Sequence, residues 1–330
     1  MNVIITGGSG LIGKRLVKLL VSNGHHVTVL SRNTVKASER IKDADLVGWD
    51  GSTSRGWGHL VENCDAIVNL AGENIGGEGY LPTRWNKPRK QLLRDSRVQA
   101  GEAVVQAVRG AATRPSVVVQ ASGIGYYGNT GDTLVDEKSP AGDDFMARLA
   151  VDWENSTRPV ENMGVRRVII RSGVNLHARK GALPRMMLPF RLYAGGPVGG
   201  GQQYFPWIHP DDEAAAILFL IENRSANGAY NLDAPELATN AQFGKVLAKM
   251  LVRPYWFPLP AFAMRLAFGE VADMVLTGQR AQPKRLLEMG FRFKYPDLDT
   301  ALASVLACPL VIRAGQPGGA DQPGAEQPAV

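Results

Sequence analysis

Val3-Ile4-Ile5-Thr6-Gly7-Gly8-Ser9-Gly10-Leu11-Ile12-Gly13 decides the reading of the fold. An apolar, β-branched run enters a glycine-rich turn, and the turn opens a helical pattern with apolar residues at Leu16, Val17, Leu19 and Leu20. That is a buried parallel strand, a tight turn and a helix N-terminus. Gly7 lets the chain turn sharply, Gly10 lets backbone approach a pyrophosphate, and Gly13 lets helix and strand pack closely. The first N–H groups of a helix lack intrahelical partners and point at such an anion. The stretch therefore predicts a dinucleotide site.

Working outward, helix one is expected to end near Asn23-Gly24, where glycine suits the left-handed position after a helix. His25 to Leu30 reads as strand two, and the residues just after it select the cofactor. A carboxylate there would bind the ribose hydroxyls of NAD; this chain has Ser31-Arg32-Asn33. A guanidinium grips a 2′-phosphate, so the pattern points to NADP. Ile41 to Trp49 is a weaker strand region. Cys64 to Gly72 reads as a buried strand whose Asn69-Leu70-Ala71-Gly72 exit suits close approach to a cofactor at a strand's carboxyl end.

Residues 84–109 read as a long helix with Arg94 and Arg97 near its middle, and Ser116 to Gln120 as the next strand. Ser122, Tyr126 and Tyr127 follow it and face the same crevice. Phe145 to Asn162 reads as a helix and Val168 to Arg171 as a strand leaving through Ser172-Gly173-Val174-Asn175. Short apolar runs alternating with helical segments are the doubly wound α/β pattern. After residue 175 come an apolar, arginine-containing stretch (Leu183 to Leu192), a glycine-rich loop and Trp207-Ile208-His209, whose histidine is read as structural before catalytic. Ala229 to Leu232 is a last strand, Thr239-Asn240 precedes an amphipathic helix to Leu251, and 253–307 reads as a small helical cap.

The expected organisation is a dinucleotide-binding part, 1–175 with 203–233, and a mainly helical substrate part, 176–202 with 234–307. Residues 308–330 are rich in Gly, Pro, Ala and Gln, a composition that predicts disorder. The 330 residues suffice for a large core, and 45% hydrophobic with 21% charged suits a soluble enzyme. Two cysteines, Cys64 and Cys308, read as reduced thiols, and with no leader before the first strand the expected setting is cytoplasmic. No apolar run spans a bilayer. The charge of +6 is scattered rather than bunched with aromatics, which argues against nucleic acid. No metal-ligand cluster is evident.

These motifs resemble the extended short-chain dehydrogenase/reductase superfamily, and more narrowly its atypical epimerase family group. The resemblance is carried by Thr6 to Gly13, Ser31-Arg32, Asn69 to Ile75, Trp85-Asn86, Ser96-Arg97, Arg171 to Val174, Leu188 to Leu192, Gly195-Gly196-Pro197, Trp207-Ile208-His209, Asn231 and Phe268-Gly269-Glu270. It implies a Rossmann domain binding NADP and a small domain closing over a substrate cleft. By position it puts Gly7, Ser9, Gly10, Leu11, Ile12 and Gly13 on the pyrophosphate, and Ser31 and Arg32 on the 2′-phosphate. Leu70 and Ala71 fall beside the adenosine, Arg97 near the cofactor, and Asn175 behind the nicotinamide. By analogy, long helices at 84–109 and 143–162 offer a homodimer face.

One departure stands out. Active members use Tyr-x-x-x-Lys to pass a proton while hydride moves, and no lysine here has a tyrosine four residues before it. The corresponding stretch is read as Trp153 to Thr157, and the usual serine position falls on Gly123. Ser122, Tyr126 and Tyr127 are the candidate substitutes. Two functions follow: an NADP-dependent oxidoreductase or epimerase-like enzyme on a small carbonyl, alcohol or sugar-type substrate, or a catalytically silent NADP-binding regulator acting through a protein partner of the cell- or organelle-division type.

Overall fold

A computed structural model describes residues 1–307 apart from Glu78 and Tyr80. The predicted disordered tail and Cys308 lie outside the described residues. In chain order the elements are β1 (Asn2–Thr6), α1 (Leu11–Ser22), β2 (His26–Ser31), α2 (Thr34–Ser38), β3 (Asp45–Gly48), β4 (Ala66–Asn69), α3 (Lys87–Gly110), β5 (Val117–Gly123), β6 (Leu134–Val135), α4 (Phe145–Ser156) and β7 (Arg166–Ser172). There follow β8 (Val174–Asn175), α5 (Leu183–Arg191), β9 (Trp207–Ile208), α6 (Pro210–Glu222), β10 (Gly228–Leu232), α7 (Asn240–Leu251), α8 (Ala261–Phe268), α9 (Asp273–Leu276), β11 (Arg280–Ala281), α10 (Lys284–Glu288) and α11 (Leu298–Leu306).

Seven strands form one parallel sheet in the order β10-β7-β5-β4-β1-β2-β3. Chain order reverses between β1 and β4, so a crevice opens at their carboxyl ends, where ligands bind in doubly wound sheets. The strands are apolar on both faces because helices cover both. Ile5, Val29, Val68 and Ile170 pack on one side against Leu16 and Leu20 of α1 and Ile217 and Leu220 of α6. Ile4, Ile67 and Val118 pack on the other against Ala100, Val104 and Val108 of α3, with Trp57. A third apolar cluster joins Leu183, Met187 and Phe190 of α5, Phe205 before β9 and Trp207 in it, Phe243 and Leu247 of α7, and Leu298 and Leu302 of α11. The mainly helical C-terminal part gathers there.

Boundaries shift where local chemistry overrides periodicity. The third strand is only Asp45–Gly48. The long helix begins at Lys87, capped by the Asn86 side chain with Pro88 in its first turn. The helix expected over 145–162 ends at Ser156, and a 3-10 turn over Arg158–Met163 follows, with Pro159 at its start. Among the described residues no helix is long and apolar enough to cross a membrane.

Candidate functional site

The glycine turn is built by exclusion. Gly7 has φ +68°, and a Cβ there would sit 2.8 Å from the Leu70 carbonyl. A Cβ on Gly13 would lie 2.5 Å from Gly7 O and Gly8 Cα, so helix and turn touch only because both residues are bare. A Cβ on Gly10 would meet only Gly7 O, at 3.0 Å; its remaining side is open toward the crevice. Gly10 caps α1 without a side-chain hydrogen bond, and the helix's first turn, with Leu11 and Ile12, carries no acidic residue. The N-terminal dipole is therefore unneutralised where an anion would sit. Lys14 is pushed below its usual value by partial burial and by Lys180 and Arg40 nearby. These like charges add to a positive field at the cradle.

The end of β2 also fits a phosphate. Ser31 is buried and its Oγ both donates to Asn33 O (3.0 Å) and accepts from Asn33 N (3.2 Å), fixing the turn. Arg32 is exposed and has no ion pair among the described residues; its methylenes pass over Gly51, whose added Cβ would touch Cδ at 3.5 Å. The donor set of open helix N–H groups, a bare glycine edge and an uncommitted guanidinium matches a 2′-phosphorylated dinucleotide. Among the described residues no group of three or more His, Cys, Asp or Glu could hold a metal ion.

A buried polar chain beneath the crevice holds three strand ends in register; of its members the sequence singled out Thr6, Asn69 and Ala71 but gave Gln120 no role. Thr6 Oγ1 donates to Asn69 Oδ1 (2.6 Å) and accepts from Ala71 N (3.2 Å). Asn69 Nδ2 donates to Gln120 Oε1 (2.9 Å), and Gln120 Nε2 to Ala121 O (2.7 Å). Leu70, Ala71 and Gly72 leave β4 over this chain.

Arg97 corrects an expectation. The residue is 4% exposed, and its guanidinium donates to Leu93 O (2.9 Å) and Glu73 O (3.0 Å) and lies 4.8 Å over the Trp153 ring. Burial pulls it down to about 10. It braces the loop after Gly72, where an added Cβ would meet it at 3.2 Å, instead of offering itself to a cofactor.

The candidate acids separate. Ser122 Oγ donates to Glu154 Oε1 at 2.7 Å inside the protein. Tyr127 is buried; its hydroxyl donates to Asn231 Oδ1 (2.7 Å) and accepts from Arg171 Nη1 (3.0 Å). Burial pushes that phenol up to about 12. The hydroxyls of Ser122 and Tyr127 are thus both engaged in one buried network through Glu154 and Arg171. Sequence reasoning missed its hub: Arg171 reaches Glu154 with two bonds and stacks on Tyr126 at 3.3 Å. The half-buried Tyr126 has no hydrogen bond to its hydroxyl among the described residues.

The Trp153–Thr157 pair is also misplaced by the sequence reading. Thr157 is the fully buried C-cap of α4, with its hydroxyl unpartnered, and Trp153 lies under Arg97. The start of α4 is what approaches the carboxyl end of β5: Met146 lies against Gly125, and Phe145 packs on Trp85 with ring centroids 5.1 Å apart. Four residues beyond Phe145 comes the buried Leu149, so Tyr and Lys are missing in that frame too. His209 is a cap: its Nδ1 accepts from Asp211 N at 3.1 Å, its ring packs on Tyr295, and burial pulls it down to about 4. Asn175 donates from Nδ2 to Glu213 Oε2 at 2.6 Å.

Comparison with known proteins agrees with this architecture. Residues 3–233 match the NAD dependent epimerase/dehydratase family, and residues 259–305 match a domain of unknown function, DUF1731. The chain is 37% identical to epimerase family protein YfhF of Bacillus subtilis over 310 residues, 93% of this chain and 98% of that one. It is similar to the crystal structure of human epimerase family protein SDR39U1 with NADPH, with TM-score 0.82 and 36% identity over 93% of this chain and 100% of the other. It also resembles a nucleoside-diphosphate sugar epimerase from Corynebacterium glutamicum, with TM-score 0.73 and 31% identity over 93% of this chain and 58% of that longer one. With its sheet, its glycine cradle and these relatives, the chain belongs to the NAD dependent epimerase/dehydratase family, in its extended short-chain dehydrogenase/reductase form.

Proposed function

We propose that the chain binds NADP and acts as an NADP-dependent oxidoreductase or epimerase-like enzyme on a small carbonyl, alcohol or sugar-type substrate. The observation that carries this is the uncommitted Arg32 beyond β2, where no carboxylate stands to bind ribose hydroxyls, beside an open glycine cradle. The NADPH in the human relative's crystal structure supports the same choice.

Gly7, Ser9, Gly10, Leu11, Ile12 and Gly13 line the pyrophosphate, Gly10 by its bare edge because its own N–H donates to Gly7 O at 2.9 Å and the others through backbone N–H groups, and Ser31 and Arg32 hold the 2′-phosphate. Leu70, Ala71 and Gly72 wall the adenosine half, and Asn175 backs the nicotinamide. The bound cofactor supplies hydride chemistry. Tyr126 exchanges the accompanying proton: among the described residues it is the one of the three candidates whose hydroxyl has no hydrogen-bond partner, and Arg171 fixes its ring. Glu154 and Arg171 keep Tyr126 in place without touching substrate. The test is consumption of NADPH with a panel of small carbonyl compounds, with Tyr126→Phe as the variant. Loss of turnover in that variant with NADPH binding kept is expected; full turnover would remove Tyr126 from the reaction.

A further inference from the structure

Glu213 is a carboxyl group that none of these roles uses. It stands in the first turn of α6, is 0% exposed, and faces Asn175 and Ser172. In strand register Ser172 is the partner of Gly123, the position read for the superfamily's serine, so this carboxyl lies close to the carboxyl ends of β5 and β7. Two oxygens there are buried without a hydrogen-bond partner: Glu213 Oε1 and Asn175 Oδ1. An orphaned buried acceptor is costly, and two belonging to already bonded partners call for one explanation. A proton on Oε1 supplies it. Nδ2 of Asn175 donates to Oε2 at 2.6 Å, and a proton on Oε1 would let the acid donate back to Oδ1, closing a ring of two hydrogen bonds between acid and amide.

We propose that Glu213 and Asn175 form such an acid–amide pair, and that ionisation of Glu213 shifts the site from the reduced cofactor toward the oxidised one. The inference rests on the NADP reading and on Asn175 backing the nicotinamide. The physical basis is charge. Oxidised nicotinamide is a cation and reduced nicotinamide is neutral, so a carboxylate at the ring end favours the oxidised form while a neutral acid is indifferent. Burial, outweighing the bond from Asn175 and the influence of the nearby Ser172 hydroxyl, pushes Glu213 up to about 7. The switch therefore falls within the physiological range.

Neighbouring charges are engaged elsewhere. On α6 itself, Asp211 pairs with Arg15 of α1 at 3.0 Å, and Asp212 accepts from Lys294 N and Tyr295 N. His209 caps the helix, and Arg171 of β7 is held by Glu154. His177, in the loop after β8, is pulled down by burial and by Arg15, Lys180 and Arg179. Asp233, after β10, is another fully buried carboxyl near this end; burial and Glu137 raise it.

The test is the ratio of NADPH to NADP+ affinity between pH 6 and 8.5, in the natural protein, Glu213→Gln and Asp233→Asn. The 2′-phosphate titrates in both cofactor forms and cancels in the ratio. In the natural protein the ratio should move roughly tenfold toward NADP+ as pH rises, and NADP+ binding near pH 7 should release protons by calorimetry in two buffers. Glutamine keeps both bonds of the pair, so Glu213→Gln should fold, hold the ratio flat and release none; Asp233→Asn should keep the natural slope. A flat ratio in the natural protein with both forms bound, or a slope lost in Asp233→Asn and kept in Glu213→Gln, overturns the proposal. Failure to bind either form at any pH overturns the NADP reading and the redox selection with it. The pair is then judged separately, by whether the cofactor-free protein at pH 6 shows a carboxylic-acid infrared band that Glu213→Gln removes.

Discussion

Arg171 of β7 and Glu154 of α4 form a two-pronged ion pair, Nε to Oε1 at 2.8 Å and Nη2 to Oε2 at 3.0 Å, both side chains almost wholly buried. It ties strand to helix beside the cleft and sets Tyr126, Tyr127 and Ser122 around it. Removing one partner leaves the other charge buried and unpaired. Glu154→Ala should cost about 3–5 kcal/mol of stability, read by urea unfolding. A loss below about 1 kcal/mol would mean that water replaces the pair.

The two tyrosines should separate by their readouts. Tyr127→Phe removes a hydroxyl that serves both Arg171 and Asn231, so it should lower stability by about 1–3 kcal/mol. Tyr126→Phe removes one with no partner among the described residues, so unfolding should barely change while turnover falls. Turnover kept in both variants contradicts a tyrosine proton donor.

Glycines of the cradle should also separate. An added methyl at Gly13 collides with backbone at 2.5 Å, so Gly13→Ala should lose both stability and NADPH binding. At Gly10 the methyl meets only Gly7 O at 3.0 Å and otherwise fills the open edge. Gly10→Ala should lose binding at a small cost in melting temperature. Equal destabilisation of the two variants would refute the distinction.

Glu213 makes stability depend on pH in a direction that can be worked out. Its folded value is about 7 against 4.5 unfolded, so the unfolded chain releases this proton first. Folding stability from this group is intact below pH 4.5 and declines as pH rises toward 7, by about 3 kcal/mol in all. Glu213→Gln should therefore match the natural protein at pH 4.5 and exceed it at pH 8 in urea unfolding. A difference that is constant with pH would show that Glu213 does not titrate there.

The parallel sheet and the cradle were legible because their signals are local: β-branched runs bounded by Gly7, Gly10 and Gly13 have few alternative conformations. The same holds for Asn23-Gly24, where the helix ends with Gly24 at φ +76°. The network of Glu154, Arg171, Tyr127 and Asn231 was not legible, since its members lie 17 to 104 residues apart and meet only through strand register. Arg97 misled because an arginine near a cofactor-binding motif reads as a ligand contact, whereas burial over Trp153 turns it into a brace. Glu213 and Asn175 were separated by 38 residues of changing character, and only the fold brings them to 2.6 Å.

The central claim is that the cradle and Arg32 select NADP, and a fluorescence titration with NADPH and separately with NADH tests it most directly. Arg32→Glu is the paired variant. The account predicts much tighter NADPH than NADH binding, with the variant losing roughly 1.5–3 kcal/mol for NADPH and little for NADH. Equal affinity for the two cofactors, or equal losses in the variant, would contradict it.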